Sequence, residues 1–326
     1  MDVSIVIPNY NGAEYILDCI ASIYDQIEDK KAIIVIDNNS SDNSTALIEE
    51  TYPEITLIKN EMNVGFARAV NQGIAFSRSK YVILLNNDAF ADSNFVQMLY
   101  SCIEADPTIF SASAKMLSYS NPKIIDNAGD QLCLTGWAFK TGDGNESHLY
   151  EKERVIFSSC AGAAIYRRKL FDEIGYFDDT FFAYLEDVDV GFRANIFGYK
   201  NVYCPKATVL HIGSATTGSS KYNNFKVKLS ARNSVYMLVK NIPVFLFMIN
   251  APFLFVGFLI KALFFWKIGF GKQYIQGLFE GIKTVKSINR VKCNIKHFKN
   301  YLRIEYMMAK STVYYFGVTI LKRLKR

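Results

Sequence analysis

The chain has 326 residues, half of them apolar and 21% charged, and carries 37 Lys/Arg against 31 Asp/Glu for a formal net charge of +6. This composition excludes a disordered chain, a collagen and a disulfide-stapled miniprotein, and the length suggests about two domains of ~150 residues each. The net charge averages two opposite regions: residues 1–220 hold 17 Lys/Arg against 29 Asp/Glu (net −12), whereas residues 221–326 hold 20 against 2 (net +18). In chain order, an apolar strand over 3–7 is followed by a turn over 9–12. Ile16, Ile20, Ile23 and Ile27 then fall at helical spacing. A strand over 32–36, a helix over 41–50, a strand over 55–58, a helix over Phe66–Phe76, a strand over Tyr81–Leu85 and a helix near 93–102 continue the alternation. Strands alternating with helices of this length argue for βαβ units and a mainly parallel sheet.

In such sheets ligands bind at the carboxyl ends of the strands. Those ends carry Pro8-Asn9-Tyr10, Asp37-Asn38-Asn39, Lys59-Asn60 and Asn86-Asn87-Asp88, so four strands release polar residues at one edge. From about 110 to 160 the periodicity fades, which predicts irregular loops and short strands over the site. Order returns over 155–166, then come an acidic-aromatic block at 175–193, a strand over 207–210 and a Gly/Ser/Thr-rich loop ending at Ser220. The six cysteines are scattered without CxxC or metal-ligand spacing, as in a reducing compartment. Asp2 and a five-residue apolar run before Pro8 do not make a signal peptide, so export is not expected.

The chain has no GxGxxG and no GxxxxGK[ST], and so lacks those two phosphate cradles. Its candidate chemistry is acidic: Asp37, Asp88, Glu186, Asp187 and Asp189, with His211. Carboxylate and imidazole suit a divalent cation such as Mg²⁺, which is commonly held by one or two carboxylates together with substrate phosphates. Taken alone, Asp88 also reads as a turn or N-cap residue, His211 as a structural histidine, and Glu186-Asp187-Val188-Asp189 as solvated helix charge. Phe181, Phe182, Tyr184 and Leu185 directly precede that acidic run, however. A carboxylate against such an apolar wall gains proton affinity, which suits a general base.

Taken together, VSIVIPNYNG at 3–12, IDNNSSD at 36–42, NVGFARAVNQG at 63–73, LLNNDA at 84–89, CAGAAIYRR at 160–168, GYFDDTFFAYLEDVDVGFR at 175–193 and HIGSATTGS at 211–219 resemble glycosyltransferase family 2. These are inverting sugar-nucleotide enzymes with the GT-A fold, and the likeness is strongest to their rhamnosyltransferase-like branch. The blocks keep the family's order over about 220 residues.

The resemblance implies that Pro8, Asn9 and Tyr10 line a nucleoside pocket, with Asp37 bonding the pyrimidine or ribose and Asn63 and Gly65 shaping the adjacent wall. It places Asn87, Gly162 and Ala163 by the nucleotide sugar. It makes Asp88 the last residue of a DxD-type motif binding Mg²⁺ or Mn²⁺, with His211 completing the metal shell; Asn86 stands where the motif begins, one carboxylate fewer than a full DxD. Asp187 matches the catalytic base, with Glu186 as the second candidate. The implied reaction is a single displacement with inversion, in which an acceptor hydroxyl attacks the anomeric carbon opposite the departing nucleoside diphosphate. A non-catalytic sugar-nucleotide-binding protein of the same fold is the alternative.

Residues 1–220 are therefore expected to form the GT-A catalytic domain, and 221–326 a basic, apolar, membrane-associated helical region. Residues 241–260 are uncharged and long enough to cross a membrane. Pro243, Pro252, Asn241 and Asn250 interrupt them, and a crossing would carry the 15 Lys/Arg of residues 261–326 away from the cytoplasm. Helices lying in or dipping into the cytoplasmic leaflet are expected instead, with Lys/Arg facing anionic head groups. A helical subdomain packed on the core or on a second subunit is the rival reading; nucleic acid is not an expected partner. The expectation is a peripheral or monotopic enzyme on the cytoplasmic side of the cell membrane that extends a lipid-linked glycan, with dTDP-rhamnose as the donor. A homo-oligomer is left open.

Overall fold

The computed structural model describes residues 1–213 and 222–324, with side chains described as far as residue 317. The end of the 211–219 motif and the last basic residues of the tail lie outside the described residues.

The first half of the chain alternates strands and helices as expected: β1 (Val3–Asn9), α1 (Ile16–Tyr24), β2 (Ile33–Asp37), α2 (Ser44–Thr51), β3 (Thr56–Lys59), α3 (Phe66–Phe76) and β4 (Tyr81–Leu85). β1 pairs in parallel with both β2 and β4, and β2 in parallel with β3. β2 and β4 are buried throughout, as strands covered on both faces must be. Ile16, Cys19, Ile20 and Ile23 of α1 fill one face, together with Phe95, Val96, Leu99 and Ile103 of α4 (Phe95–Glu104). On the other face Ala67, Val70 and Ile74 of α3 pack against Val6, Ile34 and Ile36. A short strand β5 (Ala89–Ala91) precedes α4.

The second half turns the sheet mixed. β6 (Ile109–Ser118) leads to β7 (Asn121–Asn127), the hairpin of β8 (Asp130–Leu132) and β9 (Ala138–Lys140), β10 (Arg154–Ile156) and β11 (Ala163–Arg167). α5 (Phe171–Ile174), α6 (Glu186–Phe197) and β12 (Lys200–His211) complete it. The large sheet runs β10-β12-β6-β11-β4-β1-β2-β3, with β5 on β12 and β7 on β6. β11 is antiparallel to both β4 and β6, and β12 is parallel to β6.

One expectation is corrected here. Residues 110–118 are not irregular but form a buried central strand, whose small Ser111, Ala112, Ser113 and Ala114 lack the β-branched signature. The ordered stretch over 155–166 consists of two strands on different partners, separated by residues 157–162.

Four further helices follow: α7 (Asn224–Asn241), α8 (Val244–Lys267), α9 (Gly271–Thr284) and α10 (Phe298–Leu324). The Asn223 side chain caps α7, accepting from Lys226 N at 2.8 Å. α7 and α9 pack closely because Gly277 and Gly281 face the Lys228 and Arg232 carbonyls, where a side chain would collide. Met237, Leu238, Leu246, Leu254, Tyr301, Ile304 and Met308 share one buried cluster with Phe157, Phe181, Val188 and Phe192 of the first 220 residues.

α8 buries a single stripe, Leu246, Asn250, Leu254 and Gly257, at helical spacing. Asn250 donates to both oxygens of Glu305, at 2.9 and 3.0 Å, and the Trp137 indole donates to Gly257 O at 3.0 Å. Phe247, Phe258, Ala262 and Phe265 flank that stripe half-buried, and much of the remaining helix faces outward: Met248, Ile249, Phe255, Leu263 and Trp266 are each more than 60% exposed. By length and composition α8 could cross a membrane.

Candidate active site

The ends of β1, β2 and β4 meet in one polar network. Asn9, 1% exposed, donates to Asp37 Oδ1 at 2.8 Å and Ser44 Oγ at 3.0 Å, and accepts from Asn87 Nδ2 at 2.9 Å. Asp37 also accepts from Ser40 N at 2.9 Å and from the Ser40 hydroxyl at 2.5 Å. Three of its roughly four lone-pair sites are thus used within the protein. A Cβ at Gly12 would fall on Asn9 Oδ1 and Asn87 Nδ2, so only glycine fits beside this network. Pro8 and Tyr10 flank Asn9, half-buried at the mouth. Beside this network, Gly65 N donates to Asn63 Oδ1 at 2.9 Å, and Asn38 Nδ2 donates to Gly65 O at 3.3 Å.

A second group forms where the turn between β4 and β5 meets the end of β12, with His211 paired to Ala89. Asp88 and His211 are both buried, with His211 Nε2 3.3 Å from Asp88 Oδ1 and 3.5 Å from Asn86 Nδ2. The other ring nitrogen, Nδ1, lies 2.8 Å from Asp126 Oδ2, and Lys140 Nζ is 2.9 Å from Asp126 Oδ1. Burial works against a charged imidazole, but Asp126 and Asp88 outweigh it and lift His211 to about 9. Asp126, despite burial, is held well below the usual carboxylate range by His211 and Lys140.

The donor set fits a divalent cation. Nitrogen and carboxylate oxygen converge, and a second carboxylate on Nδ1 orients the ring, as outer-shell partners of metal-bound histidines do. Asn86 N donates to Gly162 O at 2.9 Å, and a Cβ at Gly162 would meet Asn86 Nδ2 at 2.9 Å. Gly162 and the buried Ala163, which opens β11, therefore sit directly behind this group.

The third group carries the acidic run. Glu186 and Asp187 open α6, with Asp187 partly exposed and Ala161 N donating to its Oδ2 at 3.4 Å. Asp130, Cys160 and Asp187 bring one ligand atom each within 4.8 Å of one another. A cation among them would occupy the lone pairs that a base needs. Burial and the Asp187 charge push Asp130 up to about 8, and burial raises Asp187 against the Val188 and Ala161 N–H groups.

Glu186 is 6% exposed and its Oε2 has no hydrogen-bond partner among the described residues; burial and Asp187 push it well above the usual carboxylate range. Asp189 faces the other way, fully buried, accepting from Arg193 (2.8 and 3.0 Å), Lys240 (3.0 Å) and Asn241 (2.7 Å). Burial alone would raise it, yet Arg193 and Lys240 hold it below its ordinary value.

Directly before Glu186, the backbone enters the left-handed region three times without glycine, at Phe182 (φ 63°), Tyr184 (φ 69°) and Leu185 (φ 69°). Each such residue costs of order 1–3 kcal/mol and persists only where its surroundings enforce it. The sequence reading missed Asp126, Asp130, Lys140 and Gly12 as members of the site. The first three lie in the stretch without periodicity, where no motif marks them.

The family profile described as Glycosyl transferase family 2 matches residues 4–175. An N-acetylglucosaminyl-diphospho-decaprenol L-rhamnosyltransferase of Mycobacterium tuberculosis is 24% identical over 239 residues, 66% of this chain and 77% of that protein. An uncharacterized glycosyltransferase of Haemophilus influenzae is 24% identical over 320 residues, 92% of this chain and 96% of its own. Among solved structures, a mannosyltransferase from Pyrobaculum calidifontis in complex with GDP-Man and Mn²⁺ superimposes with a TM-score of 0.54 at 15% identity, covering 87% of each chain. That likeness shows a shared fold.

Proposed function

The chain belongs to glycosyltransferase family 2 and is a GT-A-fold enzyme that transfers sugar from a nucleotide-sugar donor, and from that premise we propose that Asp187 is the catalytic base in an inverting transfer to a lipid-linked acceptor. The observation that carries this reading is the placement of Asp187: partly exposed and raised in proton affinity by burial. It lies on the segment Ala161–Gly162, which also hydrogen-bonds the Asn86 end of the Asn86-Asn87-Asp88 turn. Glu186 is more deeply enclosed and lies next to it, and so supports Asp187.

The Asn9–Asp37–Asn87 network and the Asn63–Gly65 wall hold the nucleoside, with Pro8 and Tyr10 at its mouth. Asp37 fixes the direction of Asn9 and retains one lone-pair site for the ligand. Gly162 and Ala163 leave room for the donor sugar.

Asp187 accepts the proton of the acceptor hydroxyl as its oxygen forms a bond to the anomeric carbon. The bond to the diphosphate breaks on the opposite face, and the configuration inverts. A divalent cation, Mg²⁺ or Mn²⁺, would be held by Asp88 and His211 and would neutralise charge on the leaving diphosphate.

dTDP-rhamnose is the proposed donor and a lipid-linked glycan the proposed acceptor. The resemblance to rhamnosyltransferases supports both, as does the relative whose name describes L-rhamnose transfer to a diphospho-decaprenol-linked sugar. The enzyme is proposed to sit at the cytoplasmic face of the membrane. The outward apolar face of α8 and the basic excess of residues 221–326 support contact with an anionic bilayer.

The test is a screen of nucleotide sugars for binding, followed by transfer to a lipid-linked acceptor pool. dTDP-rhamnose should bind and be transferred; preference for another donor would overturn the sugar, and transfer that does not require the lipid-linked pool would overturn the acceptor reading.

A further inference from the structure

α7 belongs to the basic region, yet its buried side chains reach the segment that carries the base. Asn233 is 0% exposed. Its single amide group donates to three backbone carbonyls of that segment: Phe181 O at 2.9 Å, Ala183 O at 2.8 Å and Tyr184 O at 2.8 Å. Arg232 orients that amide, donating from Nε to Asn233 Oδ1 at 3.1 Å. Its Nη2 donates to Thr180 O at 3.0 Å and Phe181 O at 3.1 Å.

The opposite side of the segment is also held. Ala67 N donates to Phe182 O at 3.2 Å, and a Cβ at Gly65 would strike the Phe182 ring at 2.6 Å. The clamped residues include the non-glycine left-handed positions Phe182 and Tyr184 and lead directly into a third, Leu185, with Asp187 two residues further on. Such a conformation relaxes when its partners are removed. Catalytic geometry tolerates only about 0.5 Å of such relaxation.

We infer that Asn233 is a positioning residue for Asp187: by gathering the Phe181, Ala183 and Tyr184 carbonyls it holds the strained turn that aims the base, which makes α7 part of the catalytic machinery. The inference rests on the assignment of Asp187 as base. Among the described residues the amide bonds of Asn233 go to the turn and not to the Asn9–Asp37–Asn87 network, so the strand-end contacts to donor are retained, and a change in donor KM enters only through the Phe182–Gly65 contact.

The test compares the full-length wild type with Asn233→Ala, Asn233→Asp, Asp187→Asn and the buried control Ile304→Ala in one transfer assay, with Tm measured for each. Asn233→Asp keeps the side-chain shape and loses the amide donors. Both Asn233 variants are expected to lose kcat by roughly 10- to 100-fold, the scale of a misplacement near 1 Å, with donor KM within about threefold. Ile304→Ala should lose Tm without a comparable loss of kcat. Near-normal kcat in Asn233→Asp, or a loss no greater than that of Ile304→Ala at equal Tm loss, overturns the inference. If Asn233→Ala does not fold, Asn233→Ser, which retains one donor, is read in its place and should fall between wild type and Asn233→Asp. Normal turnover in Asp187→Asn overturns the base assignment and the inference together. A dead Asp187→Asn beside a normal Asn233→Asp overturns the inference alone.

Discussion

Asp130→Asn should leave the acid limb of transfer in place and remove a second ionisation above it. The two carboxylates of Asp130 and Asp187 approach within 4.8 Å in a buried corner, where burial and the Asp187 charge make Asp130 the later of the two to ionise. At that distance and an effective dielectric of ~20 the repulsion is roughly 3 kcal/mol. Partial exposure of Asp187 reduces this, so the two ionisations should be separated by at least about one pH unit. Lys140, Asp126, Glu186 and the neutral Cys160 thiol surround the pair and stay in place in the variant. Asparagine also keeps the bond from Asn127 Nδ2, 2.9 Å in the wild type, and the backbone pairing of residue 130 with Ser158.

The assay is kcat/KM from about pH 4 to 9, whose acid limb reports ionisation of the base in the free enzyme. Because the two groups titrate together, the wild-type limb belongs to the pair and lies above the ordinary aspartate range. In Asp130→Asn the acid limb should stay within about half a unit of the wild type's, because Asp130 is still neutral there, and the second ionisation of the pair, about 8 in the wild type, should vanish. An acid limb that moves by a unit or more, or a second ionisation that survives, would refute the electrostatic coupling.

Three further outcomes are expected. Asp189→Asn should lower unfolding stability by about 3 kcal/mol at pH 7, since Arg193 loses its buried counter-charge and Lys240 loses one of two, keeping Asp178 at 2.6 Å. The folded pKa of Asp189 is depressed, so its contribution is present above the unfolded value near ~3.9 and is lost as pH falls through the folded one. Urea unfolding of the variant and wild type should therefore converge below about pH 4, and a gap that persists in acid would contradict the ion pairing. For the cation, donor binding by calorimetry should strengthen when Mn²⁺ replaces EDTA in the wild type and respond little in His211→Ala; an undiminished response would remove His211 from the cation site. At the membrane, the protein should float with anionic vesicles at low salt. Phe255→Glu with Trp266→Glu, at positions 70% and 71% exposed, should abolish flotation while leaving Tm nearly unchanged; flotation that survives would exclude α8 as the contact.

The first half of the fold was legible because its strands are continuous apolar runs and its helices show clean 3.6-residue periodicity. Phe66–Phe76 and Tyr81–Leu85 match residue for residue. β6 was not legible, because alternating Ser and Ala carry little β signal, and its burial comes from neighbours distant in sequence. The site follows the same division. Asn9, Asp37, Asn87, Asp88 and Asp187 announce themselves at strand ends or in motifs. Asp126, Asp130 and Lys140 lie in a stretch without periodicity and become part of the site only when β7–β9 fold over it. Asn233 is a single polar residue in a helix, and only the three carbonyls around it reveal its role. The charge split near residue 220 was plain in the sequence, whereas the buried Asp189–Lys240 pair joining the acidic and basic parts was not.

The central claim, that Asp187 is the base of an inverting transfer, is tested most directly by Asp187→Asn. Donor affinity by calorimetry should stay near the wild-type value while the transfer rate falls by at least ~100-fold. Transfer at a near-normal rate by a variant that binds donor normally would contradict it.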